Sequence, residues 1–160
     1  MTYTYISTSL ADTGRLAQQL ASLLTPGSLI TLEGQLAAGK TAFAQAFAQA
    51  IGVTETVNSP TFTIIKEYEA TNYPFYHMDV YRISLVEAEE LGLEDYYYGS
   101  GITLVEWASR IHELLPVDRL DIHIEHSDEQ TRVFHVQPHG ASYEDVCRQL
   151  TDRGVWVSCI

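Results

Sequence analysis

The sequence predicts an α/β fold with a partly parallel central sheet, antiparallel edge strands and flanking helices. Three observations carry that prediction. An apolar run, "SLITLE", enters a glycine-bracketed loop, "GQLAAGK", and leaves it in an alanine-rich stretch of helical period, which is strand, loop and helix in that order. Further short apolar runs alternate with helical stretches, the pattern of a sheet built through crossover connections. No internal repeat, low-complexity tract or linker divides the 160 residues, so residues 1–160 read as one domain, with 140–160 as a C-terminal extension of no assigned role.

The elements follow in chain order. "YTYIS" alternates as a short strand, and the next helix is capped by Thr8 or Ser9 with Leu16, Leu20, Leu23 and Leu24 on one face. Pro26 and Gly27 end it, and "SLITLE" then reads as a buried strand. After the loop, Phe43, Phe47 and Ile51 recur every four residues along "TAFAQAFAQAI", a helix that Gly52 stops. Residues 53–61 form a polar loop, and "FTIIKEYE" and "FYHMDVYR" are two strands joined around Asn72, Tyr73 and Pro74. "LVEAEELGL" is a short acidic helix ending at Gly92, "GITLVEW" a strand, and "ASRIHELL" a helix stopped by Pro116. "RLDIHIEH" and "TRVFHVQP" alternate and so read as edge strands, and "SYEDVCRQL" reads as a final helix.

Composition narrows the function classes. Nine basic against 21 acidic residues leave a formal charge of −12, which repels a phosphate backbone and argues against strong direct binding of nucleic acid. Only two of the basic residues are lysines, Lys40 and Lys66, so a lysine inside the glycine-flanked loop stands out as local positive potential. No apolar run approaches the roughly 20 residues that span a bilayer, and "MTYTYISTSLADTG" lacks the basic flank and apolar centre of a signal peptide. The expected location is the cytoplasm, with no membrane partner and with Cys147 and Cys159 as reduced thiols outside any metal-ligand spacing.

"GQLAAGKT" satisfies the phosphate-binding P-loop pattern at Gly34, Gly39, Lys40 and Thr41, in the strand-to-helix setting that the pattern requires. The chemistry explains the residue types. Backbone N–H groups along Gln35, Leu36, Ala37, Ala38, Gly39, Lys40, Thr41 and on to Ala42 surround phosphate oxygens where the helix dipole adds positive potential. Lys40 reaches the β- and γ-phosphates, and the Thr41 hydroxyl ligates magnesium. The metal needs an acid as well, and two strand ends offer one: Asp79 closes "FYHMD" and Glu106 closes "ITLVE". Either carboxylate can also position the attacking water. Ser59 or Thr61, in the loop "NSPTF", sits where a P-loop switch senses the γ-phosphate. His77 and Arg82 flank Asp79, His77 sharing its strand face, and Trp107 directly follows Glu106 with a ring that can stack on a ligand or pack in the core.

The three blocks "GQLAAGKT", "NSPTF...EY...YHMDVYR" and "GITLVEW" stand in an order that resembles the bacterial TsaE family, over about three quarters of the chain. The resemblance implies a single P-loop NTPase domain that hydrolyses ATP with Mg2+ for the threonylcarbamoyladenosine modification of tRNA. It implies the TsaB and TsaD proteins as partners, with tRNA met only through their complex. Residue by residue it puts Lys40 on phosphate, Thr41 and Glu106 on magnesium, Asp79 at the reaction centre, Thr61 in a switch loop and Trp107 beside the site. The loop departs from the family's usual pattern at Gln35, Ala37 and Ala42, where Asp, Gly and Thr are usual, and slower hydrolysis is expected from a narrower anion nest.

Two other readings compete with the ATPase. A non-catalytic, ATP-dependent sensor would need the same loop and no turnover. A small-molecule kinase would share the P-loop but closes a basic lid over its phosphates, and residues 83–109 hold no arginine or lysine. Arg82 and Arg110, just outside that stretch, are the nearest candidates for an arginine finger.

Overall fold

The computed structural model describes residues 1–35 and 38–160; the calls made on Leu36 and Ala37 lie outside the described residues. The chain runs β1 (Tyr3–Ser7), α1 (Leu10–Leu23), β2 (Leu29–Glu33), α2 (Lys40–Ala50), β3 (Ile65–Glu69), β4 (Pro74–Asp79), α3 (Leu85–Glu89), α4 (Glu94–Tyr97), β5 (Ile102–Glu106), a 3₁₀ segment (Ala108–Leu114), β6 (Arg119–His126), β7 (Arg132–His139), α5 (Ala141–Asp152) and β8 (Ser158–Cys159). One sheet takes the order β3-β4-β5-β2-β6-β7-β1-β8. Neighbours from β4 through β5 and β2 to β6 are parallel. The pairs β3–β4, β6–β7, β7–β1 and β1–β8 are antiparallel. The sheet therefore has a parallel core and antiparallel edges.

Each face of the sheet has its own apolar layer. On one, Ile30 and Leu32 of β2, Leu104 of β5 and Ile122 of β6 meet α1, α2 and α5 through Leu16, Phe43, Phe47 and Cys147. Phe43 and Phe47 stack at 6.3 Å between centroids and are fully buried, each burial stabilising the fold by roughly 1.5–3 kcal/mol. On the other face, Leu29, Met78 and Val105 meet α3, α4 and the 3₁₀ segment through Ala88, Tyr97 and Ile111. Central parallel strands are covered on both sides, which is why "ITLVE" is buried at every position.

Several sequence-based assignments are corrected. β6 and β7 are interior strands, since β1 and β8 extend the sheet beyond them. Their alternation arises because one face packs on the core through Leu120, Ile122 and Ile124 while His123 and Glu125 face solvent. The strand expected from Phe62 begins only at Ile65: the Pro60 carbonyl accepts from Ile64 N–H, and Ile64 takes φ +69°, so the chain turns there and Phe62 is left exposed. The helix expected over "ASRIHELL" is a kinked 3₁₀ segment, whose three-residue period puts Ala108 and Ile111 together in the second layer. The N-cap of α1 is Ser9, whose side chain accepts from Asp12 N–H. Short α4 and β8 had no signal that sequence reading used.

Candidate phosphate-binding cleft

The register of the parallel core levels three strand ends. Asp79 of β4 pairs with Glu106 of β5, which pairs in turn with Leu32 of β2, one residue before Glu33 and two before Gly34. Ligand crevices in open α/β sheets lie outside such carboxyl ends. Here the crevice is a cleft of about 640 Å³. From the loop side it is lined by Gln35, Ala38, Gly39, Lys40 and Thr41. Ser59 and Thr61 line it from the loop before β3, while Asp79, Arg82, Glu106 and Trp107 line it from the strand ends. Most residues predicted to carry a site are thus brought to one cleft. Ala42 faces a neighbouring cavity instead, and Arg110 lies over the Tyr81 ring at 5.5 Å from its centroid.

The glycines fit their places for steric reasons. A Cβ on Gly34, at φ +157°, would meet the Ile124 carbonyl oxygen of β6 at 2.8 Å, too close for any side chain. Gly39 starts α2 at φ +107° with no side-chain cap, so the first N–H groups of the helix have no capping side chain and form a ready anion site. Within the loop, Ala38 N–H donates to the Gln35 carbonyl at 3.0 Å.

Lys40 is buried, with its ammonium donating to the carbonyls of Gly34 and Gln35. The Trp107 ring covers it, centroid 4.2 Å from Nζ. Burial pulls the Lys40 pKa below its ordinary 10.5, and the charges of Glu106, Glu33 and Asp79 oppose that shift. Trp107 holds this place at φ +62°, a left-handed conformation that costs a bulky residue on the order of 1–3 kcal/mol. Its N–H bonds the Leu32 carbonyl at 3.2 Å, and its ring packs 4.9 Å from that of Tyr81.

The two strand-end acids have different surroundings. Asp79 is a hub for the loops: Oδ2 accepts from Thr61 at 3.1 Å and from Ser59 at 3.4 Å, and Oδ1 accepts from Tyr81 N–H at 2.9 Å. Ser59 and Thr61 lie 2.8 Å apart, so their two hydroxyl hydrogens are shared among these three contacts, and when Ser59 donates to Thr61 the 3.1 Å bond from Thr61 is the one that holds Asp79 Oδ2. Glu106 is tied to a buried side chain, its Oε2 lying 2.6 Å from His77 Nε2. His77 is fully buried behind it and so presents no surface for direct contact with a partner. The cleft's oxygens, from Thr41, Glu106 and Asp79, are the hard donors that magnesium takes. Among the described residues there is no cluster of three or more His, Cys, Asp or Glu side chains able to hold a metal alone, so such an ion would need ligand oxygens from elsewhere.

Sequence reading missed a second cavity of about 400 Å³ on the other flank of the α2 start. It is lined by Gly39 and Ala42 together with Thr8, Leu10, Glu129 and Arg132. These residues come from the β1–α1 junction and the β6–β7 turn, far apart in sequence, and meet because β1 pairs with β7. No local motif signals them. Tyr81, which lines the main cleft and orients Asp79 through its N–H, carries no sequence signal of that role beyond standing two residues after Asp79.

Comparison with known proteins bears on the family and the fold. The sequence model of the family described as "Threonylcarbamoyl adenosine biosynthesis protein TsaE" matches residues 7–134. A Bacillus subtilis tRNA threonylcarbamoyladenosine biosynthesis protein TsaE is 47% identical over 140 residues, 88% of this chain and 88% of that protein. A Synechocystis protein of the same name is 43% identical over 106 residues, 64% of this chain and 68% of its own. The crystal structure of Bacillus YdiB superposes with a TM-score of 0.85 at 39% identity, covering 96% of this chain and 97% of that one. No helix among the described residues is long and apolar enough to cross a membrane.

Proposed function

Because this chain belongs to the TsaE family of tRNA threonylcarbamoyladenosine biosynthesis, we propose that it is the ATP-binding and hydrolysing subunit of that machinery, working with TsaB and TsaD. The observation that carries the reading is the convergence of Lys40, Thr41, Asp79 and Glu106 on one cleft at the carboxyl edge of the parallel strands. The reaction joins water to the γ-phosphorus of ATP and releases ADP and phosphate. Magnesium binding accounts for one buried acid beside the phosphate loop, Glu106, and Asp79 is the second, for which a purely binding module would have less use.

The residues divide the work by their surroundings. Lys40 exchanges its carbonyl partners for β- and γ-phosphate oxygens, and the N–H groups at the start of α2 hold the rest of the phosphate chain. The Thr41 hydroxyl and the Glu106 carboxylate hold magnesium, which supplies charge neutralisation on the phosphates. Asp79, held by the Ser59–Thr61 hydroxyl pair at Oδ2 and by Tyr81 N–H at Oδ1, orients the attacking water and couples the reaction to the loop before β3. The second cavity, flush with Gly39 and Ala42, takes the nucleoside end.

Arg82 is the arginine that lines the cleft, and it stacks on exposed Phe62 at 4.5 Å. It forms the lip on which a partner would complete the site and raise a slow intrinsic rate. The formal charge of −12 fits an assembly in which other subunits grip the tRNA. The test is steady-state ATP hydrolysis by the chain alone and with a purified TsaB–TsaD complex, with Lys40→Ala as control. Stimulation that the control loses supports the reading. ATP binding with background hydrolysis in both conditions replaces it with the sensor reading, and absence of ATP binding removes both.

A further inference from the structure

The imidazole of His77 raises a question that packing alone does not answer. It is fully buried in the strand between Phe75 and Asp79, with the Phe75 ring 6.0 Å away and nearly parallel. Burying a polar ring costs free energy unless a hydrogen bond compensates. Its Nε2 has one partner, Glu106 Oε2 at 2.6 Å, and its Nδ1 has none among the described residues. The ring's single polar contact is therefore the carboxylate at the end of the neighbouring strand. Register makes that contact possible: Asp79, two residues beyond His77 on the same face, stands opposite Glu106.

We propose that His77 is a positioning residue, which through its Nε2–H holds the Glu106 carboxylate in the orientation from which it ligates magnesium. This rests on the reading of Glu106 as a metal ligand. An ionised carboxylate can only accept, so the hydrogen of the short contact sits on Nε2, and in the neutral ring Nδ1 is then a bare acceptor. No buried N–H is stranded by that tautomer, whereas the other would leave Nδ1–H without an acceptor and set two acceptors against each other. With Oε2 engaged, rotation of the carboxyl group is blocked, and Oε1, which has no hydrogen bond among the described residues, is the atom left to serve a ligand.

The geometry allows a paired test. In His77→Gln the amide nitrogen reaches about as far as ring Nε2, whereas in His77→Asn it sits near the place of Nδ1, short of Glu106. The assay is binding of a fluorescent ATP analogue during a magnesium titration, repeated in EDTA. The expected result is that His77→Asn raises the magnesium needed for half-maximal binding roughly 10- to 100-fold. His77→Gln stays close to the unaltered chain, and binding in EDTA is the same for all three. Equal magnesium dependence in all three, or loss of binding in EDTA alongside the magnesium effect, overturns the proposal. Should His77→Asn fail to fold, nitrogen NMR of the unaltered chain decides: Nε2 protonated supports it, and Nε2 bare with the hydrogen on Nδ1 overturns it. An unaltered chain whose nucleotide binding ignores magnesium instead removes the reading of Glu106 on which the proposal stands.

Discussion

Replacing Lys40 by methionine keeps the aliphatic stem under Trp107 and removes only the ammonium, so it separates what the charge does for the fold from what it does for the ligand. In the unliganded protein the change loses two hydrogen bonds to carbonyls and a cation–π contact at 4.2 Å, the latter worth roughly 0.5–2 kcal/mol. Against that it removes a charge whose burial is already unfavourable, as the lowered pKa shows. The two effects oppose, and the net change is within about 1 kcal/mol, or under about 4 °C in Tm for a chain of this size. With ATP and magnesium at about 100 times Kd, binding stabilises the unaltered chain by about 2.7 kcal/mol, roughly 5–11 °C. Loss of charged hydrogen bonds to phosphate costs on the order of 1.5–3 kcal/mol, which leaves the variant about 0.3–1.3 kcal/mol of that stabilisation. Thermal unfolding with and without ATP and magnesium measures both quantities. An unliganded Tm lowered by about 10 °C would make Lys40 a structural residue. An undiminished ligand shift would put the phosphates elsewhere.

Three further predictions concern the scaffold. The Tyr143 hydroxyl of α5 is hydrogen-bonded at 2.9 Å to the N–H of Leu29, the first residue of the strand that feeds the loop, so Tyr143→Phe strands a buried donor. It should cost about 1–3 kcal/mol, read as a fall in denaturation midpoint; no fall would mean that residues 140–160 do not brace β2. The second concerns the thiols: burial pushes Cys147 up to about 12, while Cys159 is exposed. At pH 8 a thiol reagent should modify Cys159 readily and Cys147 slower by roughly a thousandfold until the protein unfolds, and equal rates would contradict its burial. The fold favours the protonated thiol, so this stability is present below the ordinary value of 9.0 and is lost as pH rises from there towards 12. Burial raises Tyr3, Tyr5, Tyr73 and Tyr143 above 10.0 in the same sense, so urea midpoints should fall on the alkaline side of pH 9 to 10.

The parts of the fold that local chemistry writes were legible. "SLITLE" is a run because β2 is covered on both faces, Ser9 caps α1, and Phe43 and Phe47 share a helical face. What failed was inference from alternation to sheet position. β6 alternates because one face is wet, and nothing in eight residues says whether β7 and β1 continue the sheet beyond it. The turn at Ile64 is illegible for a related reason: a β-branched residue at φ +69° contradicts its own propensity, and bonds from Ile64 N–H to Pro60, from Ile65 N–H to Thr63 and from Asp79 N–H to Ile64 hold it.

For the cleft, the distinction between what was legible and what was not follows the sheet. Gly34, Lys40, Asp79 and Glu106 could be named from sequence because each ends a strand or opens a helix, and parallel strands in register bring such ends to one edge without help from loops. The cavity beside Ala42 could not, since it depends on antiparallel pairing of β1 with β7 across more than a hundred residues. His77 lies between these cases. Its place on the face of Asp79 could be read from the period of two, yet its partner could not, because the register of β4 on β5 decides which carboxylate it meets. A slip of one residue between those strands would move Glu106 out of reach of His77 and out of level with Asp79 together. The hydrogen bond at 2.6 Å thus ties the geometry of the two acids to the pairing that builds the core.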